Sequence, residues 1–309
     1  MRKTSSTSQL LNHSTKTIFR TMDRRTFNQL AISGSMAAFL PEFVLAKKQA
    51  ISVQLYSVRG DMQKDLVGTL TAVRKMGYRL VEGAGYGQGK FYGKTPQEFK
   101  MILSDLGLKM PSGHFGFGSA NYDPQKKTIN DEYKKAIDDA ASIGHEYVIA
   151  PYMIDPDRKG DKLKQYILGL NKAGEYAKQA GVKFAYHNHA FEFEMEDGRL
   201  IYDAILQDTD PSLVLLQMDL YWTEKGKANT IELLKKNAGR VHLVHVKDMA
   251  KTKDQETVEV GQGSINFQEI FKYTPAAGVK YYIVELEHYK TTPMQGIAEA
   301  YNGLKKLKF

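Results

Sequence analysis

Six times between residues 76 and 280 a helical pattern stops on a glycine, and an apolar run begins one or two residues later. The junctions are Met76-Gly77 before YRLVE, Leu106-Gly107 before LKMPS, Ile143-Gly144 before HEYVIA, Ala180-Gly181 before VKFAY, Ala238-Gly239 before RVHLVHV, and Ala277-Gly278 before VKYYIVE. Glycine enters the left-handed conformation that ends a helix without steric cost. Runs that are apolar throughout, rather than alternating, belong to parallel strands covered on both faces. ISVQLYSV at 51–58 and LVLLQMD at 213–219 bring the strands to eight. Amphipathic stretches such as DLVGTLTAVRKM (65–76) and PQEFKMILSDL (96–106) separate them. Eight βα units in about 260 residues predict an α/β fold, a single (β/α)8 TIM barrel. An open doubly wound sheet would carry a glycine-rich phosphate turn after its first strand, and none follows here.

The first 46 residues stand apart. Arg24-Arg25 precedes an apolar run from Leu30 to Leu40 and a small-residue ending at Val44-Leu45-Ala46. That is the order of an export signal, and the run is about half of the ~20 residues a membrane span needs. Arg24-Arg25-Thr26-Phe27 resembles a twin-arginine motif, although Asp23 and Asn28 depart from its usual pattern. Met22 is a possible true start, because the Ser/Thr-rich stretch 1–21 adds nothing to the signal. The expectation is an export signal over 1–46, read by the twin-arginine machinery, a catalytic barrel over 47–309, a periplasmic or otherwise exported location and no stable membrane anchor. Half of the net charge of +8 lies in residues 1–46, where six Lys or Arg face Asp23 and Glu42. The remainder carries no long basic run, so nucleic acid is not an expected partner. The absence of cysteine excludes disulfides and thiolate metal sites.

In such a barrel the chemistry sits at the C-terminal ends of the strands. Of eight histidines, five fall at or just past strand ends: His114, His187, His189, His245 and His288. Glu82, Asp219, Glu285 and Glu287 do the same, and Arg59 closes the first predicted strand. Seven of the eight strands thus deliver a titratable group to one rim. Asp219, His245 and Glu285 end strands six, seven and eight, and His187 ends strand five. Four neighbouring tips can converge on one ion, and imidazole with carboxylate suits Mn²⁺, Zn²⁺, Co²⁺ or Mg²⁺. Lys247, two residues past His245, shares its side of the strand and is placed to neutralise an oxyanion.

Together FAYHNHAFEFE (184–194), LLQMDLYW, HVKD, the VGQG of Val260–Gly263 and the VE of YYIVELE resemble the sugar phosphate isomerase/epimerase family, which has a xylose-isomerase-like barrel and includes inosose dehydratases. VQLYSVR (53–59) and SGHFGF (112–117) strengthen the resemblance, which covers about residues 50–309. It implies one divalent metal held by Asp219, His245 and Glu285, with His187 where the family has glutamate. His189 is the alternative strand-five ligand. It also implies a sugar substrate and proton abstraction alpha to a carbonyl, with Glu285 or His189 as base and Lys247 as electrostatic helper. Arg59, Glu82, His114, Glu192, Trp222 and Gln262 are expected to contact the sugar, Gln262 standing where the family's VGEG motif is acidic. Tyr221 and Trp222 could stack on an apolar sugar face. Export favours an unphosphorylated sugar or keto-sugar. A His/Glu pair suits isomerisation or epimerisation, and equally elimination or hydration. A sugar-binding protein without catalysis would need Trp222, Tyr221 and Arg59 but not the ligand set.

Overall fold

A computed structural model of the protein describes residues 50–308, so the expected export signal lies outside the described residues. Eight parallel strands close into a barrel. They are β1 Ile51–Gln54, β2 Leu80–Gly83, β3 Lys109–His114, β4 Tyr147–Ala150, β5 Lys183–His187, β6 Val214–Asp219, β7 Val241–Val246 and β8 Tyr281–Val284. Each strand pairs with its sequence neighbours, and β1 pairs with β8 to close the ring. The predicted (β/α)8 architecture and all eight strands are present. Among the described residues no helix is long and apolar enough to cross a membrane.

Local chemistry explains the helix ends. Asp65 caps the helix Leu66–Met76 by accepting from Gly68 N, and Thr95 with Glu98 forms a reciprocal cap on Pro96–Asp105. All six predicted helix-terminating glycines have positive φ, from 62° at Gly107 to 118° at Gly77. Residues cannot be exchanged freely at those points, because a Cβ is strained there.

The first strand is shorter than expected. Gln54 turns its side chain back to accept from Tyr56 N, and this ends β1 and starts a tight turn over Leu55–Val58. Arg59 therefore opens a short helix, Arg59–Lys64, instead of ending a strand. Four antiparallel two-stranded ribbons, not foreseen in the pattern, follow β2, β3, β5 and β7 and wall the upper rim.

Alternation sorts the strand residues into two populations. Val53, Val81, Val148, Phe184, Leu216, Val244 and Val284 join the large apolar layer between strands and helices. Tyr147, Ile149, Ala185, Leu243 and Ile283 form a separate cluster inside the barrel. Further along the same inward faces come Gln54, Glu82, Ser112, Gln217 and His245, all without exposed surface. The apolar plug thus gives way to a buried polar layer beneath the rim.

The closing helix, Pro293–Lys305, packs tightly on the VGQG loop. A Cβ added at Gly303 would stand 1.8 Å from the backbone oxygen of Val260. Gly303→Ala is expected to destabilise the fold by about 2 kcal/mol, a fall in Tm of about 6 °C, measurable by thermal denaturation. An unchanged Tm would show that the helix shifts freely on this loop.

Candidate active site

Strands five to eight present His187, Asp219, His245 and Glu285 to one another, all of them buried. Asp219 ends β6 and caps the short helix Leu220–Lys225, its Oδ1 accepting from Trp222 N at 2.9 Å. That bond leaves Oδ2 buried without a hydrogen bond. His187 Nε2 and His245 Nδ1 each lie 3.8 Å from this oxygen. Asn188, between the two histidines of HNH, joins the strands by accepting from Asp219 N and donating to Thr223 Oγ1.

His245 is held between two carboxylates, with Nδ1 2.6 Å from Glu285 Oε2 and Nε2 2.6 Å from Glu82 Oε1. Glu82 also accepts from Gln54 Nε2 at 2.8 Å, Ser112 Oγ at 2.6 Å and Gln217 Nε2 at 2.7 Å. His114 Nε2 lies 3.2 Å from it while bonding Gln217 Oε1 at 2.7 Å. Lys247, also buried, places Nζ 2.9 Å from Glu285 Oε2, 3.2 Å from Asp219 Oδ2 and 2.8 Å from Glu287 Oε1.

The charges follow from these contacts. Burial opposes ionisation of His245, yet Glu82 and Glu285 carry its pKa up to about 9. Against the same burial, His245 and His114 hold the Glu82 carboxyl well below the usual range, and Lys247 and His245 do so for Glu285. Asp219, Glu285 and Glu287 keep Lys247 charged despite its burial. Burial raises Asp219. Burial and then the neighbouring imidazole of His245 drive His187 far down, and burial with Lys247 lowers His189 to about 3, so both rings are neutral.

One ligand atom each from Asp219, His245 and Glu285 lies within 4.8 Å of the others, and His114, His187 and His245 form a second such group. The donors fit a divalent cation. Asp219 Oδ2 is a buried carboxylate oxygen without a hydrogen bond, and His187 is a neutral imidazole beside it. The Glu82 contact to Nε2 orients the ring of His245 so that Nδ1 faces the other donors, the arrangement that commonly supports a metal-ligating imidazole.

The remaining expected residues divide. His189 lies beside His187, with ring centroids 5.0 Å apart, and beside Trp222 at 5.3 Å. His114 stacks on His245 at 5.3 Å within the polar layer. Glu82, expected at the sugar, is instead the buried centre of that layer. Glu192 is also redirected, for it is fully buried and its oxygens take the Tyr186 hydroxyl at 2.6 Å and His189 N at 2.8 Å. It holds the HNH turn from beneath. Gln262 points outward to Glu299 and Lys290, because Asp248 gathers the loop by accepting from Gly261 N, Gly263 N and Ile265 N. Arg59 is exposed and lies over the Tyr56 ring at 4.3 Å. His288 is exposed near Glu256, and Glu194 is exposed as well.

Gln54, Ser112, Asn188 and Asp248 gave no sequence signal of a place in the site, whereas Glu287, a strand-end carboxylate, joins it through Lys247. Gln217 offered a signal, since it lies two residues before Asp219 on the same face.

Burial, outweighing the hydrogen bond from the Tyr186 hydroxyl, pushes Glu192 up to about 7. Its folded pKa thus exceeds the 4.5 of a free glutamate, so its contribution to stability is complete below pH 4.5 and is lost as pH rises through about 7. Wild-type Tm should fall over that window by an increment that Glu192→Gln removes. Parallel profiles for the two proteins would show that Glu192 is already ionised in the fold.

The chain resembles known proteins across this region. It is 33% identical to a sugar phosphate isomerase/epimerase of Parabacteroides distasonis, whose crystal structure matches with a TM-score of 0.74 over 84% of this chain and 98% of that one. An inosose dehydratase of Clostridium perfringens is 32% identical over 120 residues, 34% of this chain and 40% of that protein. One from Geobacillus kaustophilus is 24% identical over 195 residues, 58% of this chain and 61% of that protein. The chain therefore spans between two fifths and three fifths of the length of these curated relatives. The model of one family, described as the xylose isomerase-like TIM barrel, matches residues 70–307, and with the closed eight-stranded barrel this shows that the chain belongs to that family.

Proposed function

We propose that this protein is a divalent-metal-dependent enzyme that isomerises or epimerises an unphosphorylated sugar or keto-sugar, moving a proton at the carbon beside a carbonyl. The observation that carries this reading is the convergence of Asp219, His245 and Glu285, each with one ligand atom within 4.8 Å of the others. His187, with Nε2 3.8 Å from Asp219 Oδ2, is the fourth donor in this reading. A bound Mn²⁺, Zn²⁺, Co²⁺ or Mg²⁺ would polarise the carbonyl and stabilise the enediolate.

The chain's own residues account for the rest. Lys247 is a fixed positive charge beside the carboxylates and faces the developing oxyanion, where a preorganised charge acts most strongly. His189 leaves its Nδ1 without a hydrogen-bond partner and can accept a proton there, so it is the base we favour. Glu285 shares one oxygen between His245 and Lys247, which weakens it as a base. Trp222 offers a ring beside His189 for the sugar's apolar face.

A second reading, elimination or hydration of the dehydratase type, is favoured by the relatives named inosose dehydratase. Histidine instead of a carboxylate at the tip of β5 suits it equally well. We also propose export by the twin-arginine machinery, resting on Arg24-Arg25 and the apolar run behind it. Replacing both arginines by lysine should retain the protein in the cytoplasm, and unchanged fractionation would refute that route.

Protein purified without chelator should contain about one divalent ion per chain, lost in Asp219→Ala and His187→Ala but kept in His189→Ala. His189→Ala should slow solvent-deuterium exchange into keto-sugars roughly 10²- to 10⁴-fold. Metal lost with His189 and kept without His187 would exchange their roles. No metal in any preparation, even after soaking with these ions, would overturn the mechanism. A product of unchanged mass marks isomerisation, and loss of one water marks elimination.

A further inference from the structure

Strand β4 is the one strand to which the sequence assigned no reactive tip, yet the loop beyond it is built with care. Tyr152, two residues past Ala150, is 43% exposed, and Ile154 beside it is 51% exposed. An exposed tyrosine ordinarily keeps its rotamer freedom, but this one is fixed at both ends. Arg158 Nη2 donates to the Tyr152 hydroxyl at 2.7 Å, and its Nε donates to Met153 O at 3.0 Å. Arg158 Nη1 pairs with Asp155 at 2.7 Å, and the guanidinium lies 3.5 Å from the centre of the Phe191 ring. The Tyr152 ring stands edge-on to His189 at 5.1 Å and to Phe191 at 5.7 Å.

His189 lies beside both Tyr152 and Trp222, so the three rings form one aromatic row whose middle member adjoins His187. Trp222 Nε1 and His189 Nδ1 are buried without hydrogen-bond partners along this row. A wall of flat apolar faces with unpartnered polar atoms matches a pyranose, which has an apolar C–H face and a hydroxylated edge. One ring at the donors leaves the exposed surface of Tyr152 for the next.

We propose that Tyr152 forms an outer subsite for a second sugar ring, so that the substrate is a disaccharide or glycoside instead of a lone monosaccharide. The inference rests on the sugar-processing reading above. Tyr152 acts in specificity and takes no part in proton transfer.

The test is calorimetric binding of glucose, cellobiose, maltose and trehalose to the full-length metal-loaded protein and to Tyr152→Ala and Tyr152→Phe. Wild type should bind at least one disaccharide about tenfold more tightly than glucose. Tyr152→Ala should shrink that advantage to within twofold, and Tyr152→Phe, which keeps the ring, should retain most of it. Equal affinity for all four sugars in wild type, or an advantage that survives Tyr152→Ala, would overturn the outer subsite and leave the proposed function standing. Failure of every sugar to bind would overturn the outer subsite, while the metal content and deuterium exchange described above decide the proposed function separately.

Discussion

At the centre of the barrel a carboxylate has been taken out of water. Glu82 has no exposed surface, and an isolated charge there would cost several kcal/mol. The fold answers with donors from Gln54, Ser112, Gln217 and His245, and with His114 close by. Those residues come from β1, β3, β6 and β7, so one buried charge on β2 engages five of the eight strands. The consequence reaches the site directly. Because His245 Nε2 is committed to Glu82, the ring cannot turn, and Nδ1 is left facing Asp219 and Glu285. The polar core of the fold and the orientation of the candidate ligand are one network.

Above it, charge is balanced by the chain itself. Lys247 touches three carboxylates, and His245 is shared by Glu82 and Glu285. Two internal cations among four acids make these carboxylates tolerable beneath the rim. They also lower both candidate bases, Glu285 through Lys247 and His245 against its burial, and His189 through Lys247 added to its burial.

The strands and their glycine stops were legible because both are local. An apolar run and a left-handed glycine need no knowledge of distant contacts, and Gly77 through Gly278 behaved accordingly. The four tips on β5 to β8 were legible because the barrel rule places strand ends on one rim. What could not be read depended on where side chains turn after the strand. ISVQLYSV stays apolar past Gln54, and only the Gln54 side chain bonding Tyr56 N ends the strand and puts Arg59 at the start of a short helix instead of at a strand tip. Glu192 in AFEFE looks like an ordinary loop acid, but Tyr186 and the backbone of His189 draw it inside. Gln262 turns outward because a distant Asp248 holds its loop. Glu82 sits at a strand end as expected, and its role is set by partners as far away in sequence as His245.

Asp219 shows how a ligand position becomes hard to abandon. One of its oxygens caps the helix that carries Tyr221 and Trp222, and its backbone is tied to Asn188 and Thr223. A descendant barrel that had given up chemistry would still need a capping residue there, and aspartate is among the best available. Retention of this aspartate across relatives therefore reports on architecture as much as on metal. His187 carries no such second duty, since its Nδ1 lies buried without a hydrogen bond and its neighbours Asn188 and Tyr186 do the bracing. Replacing His187 would therefore remove a candidate donor and leave the bracing of the β5 tip in place.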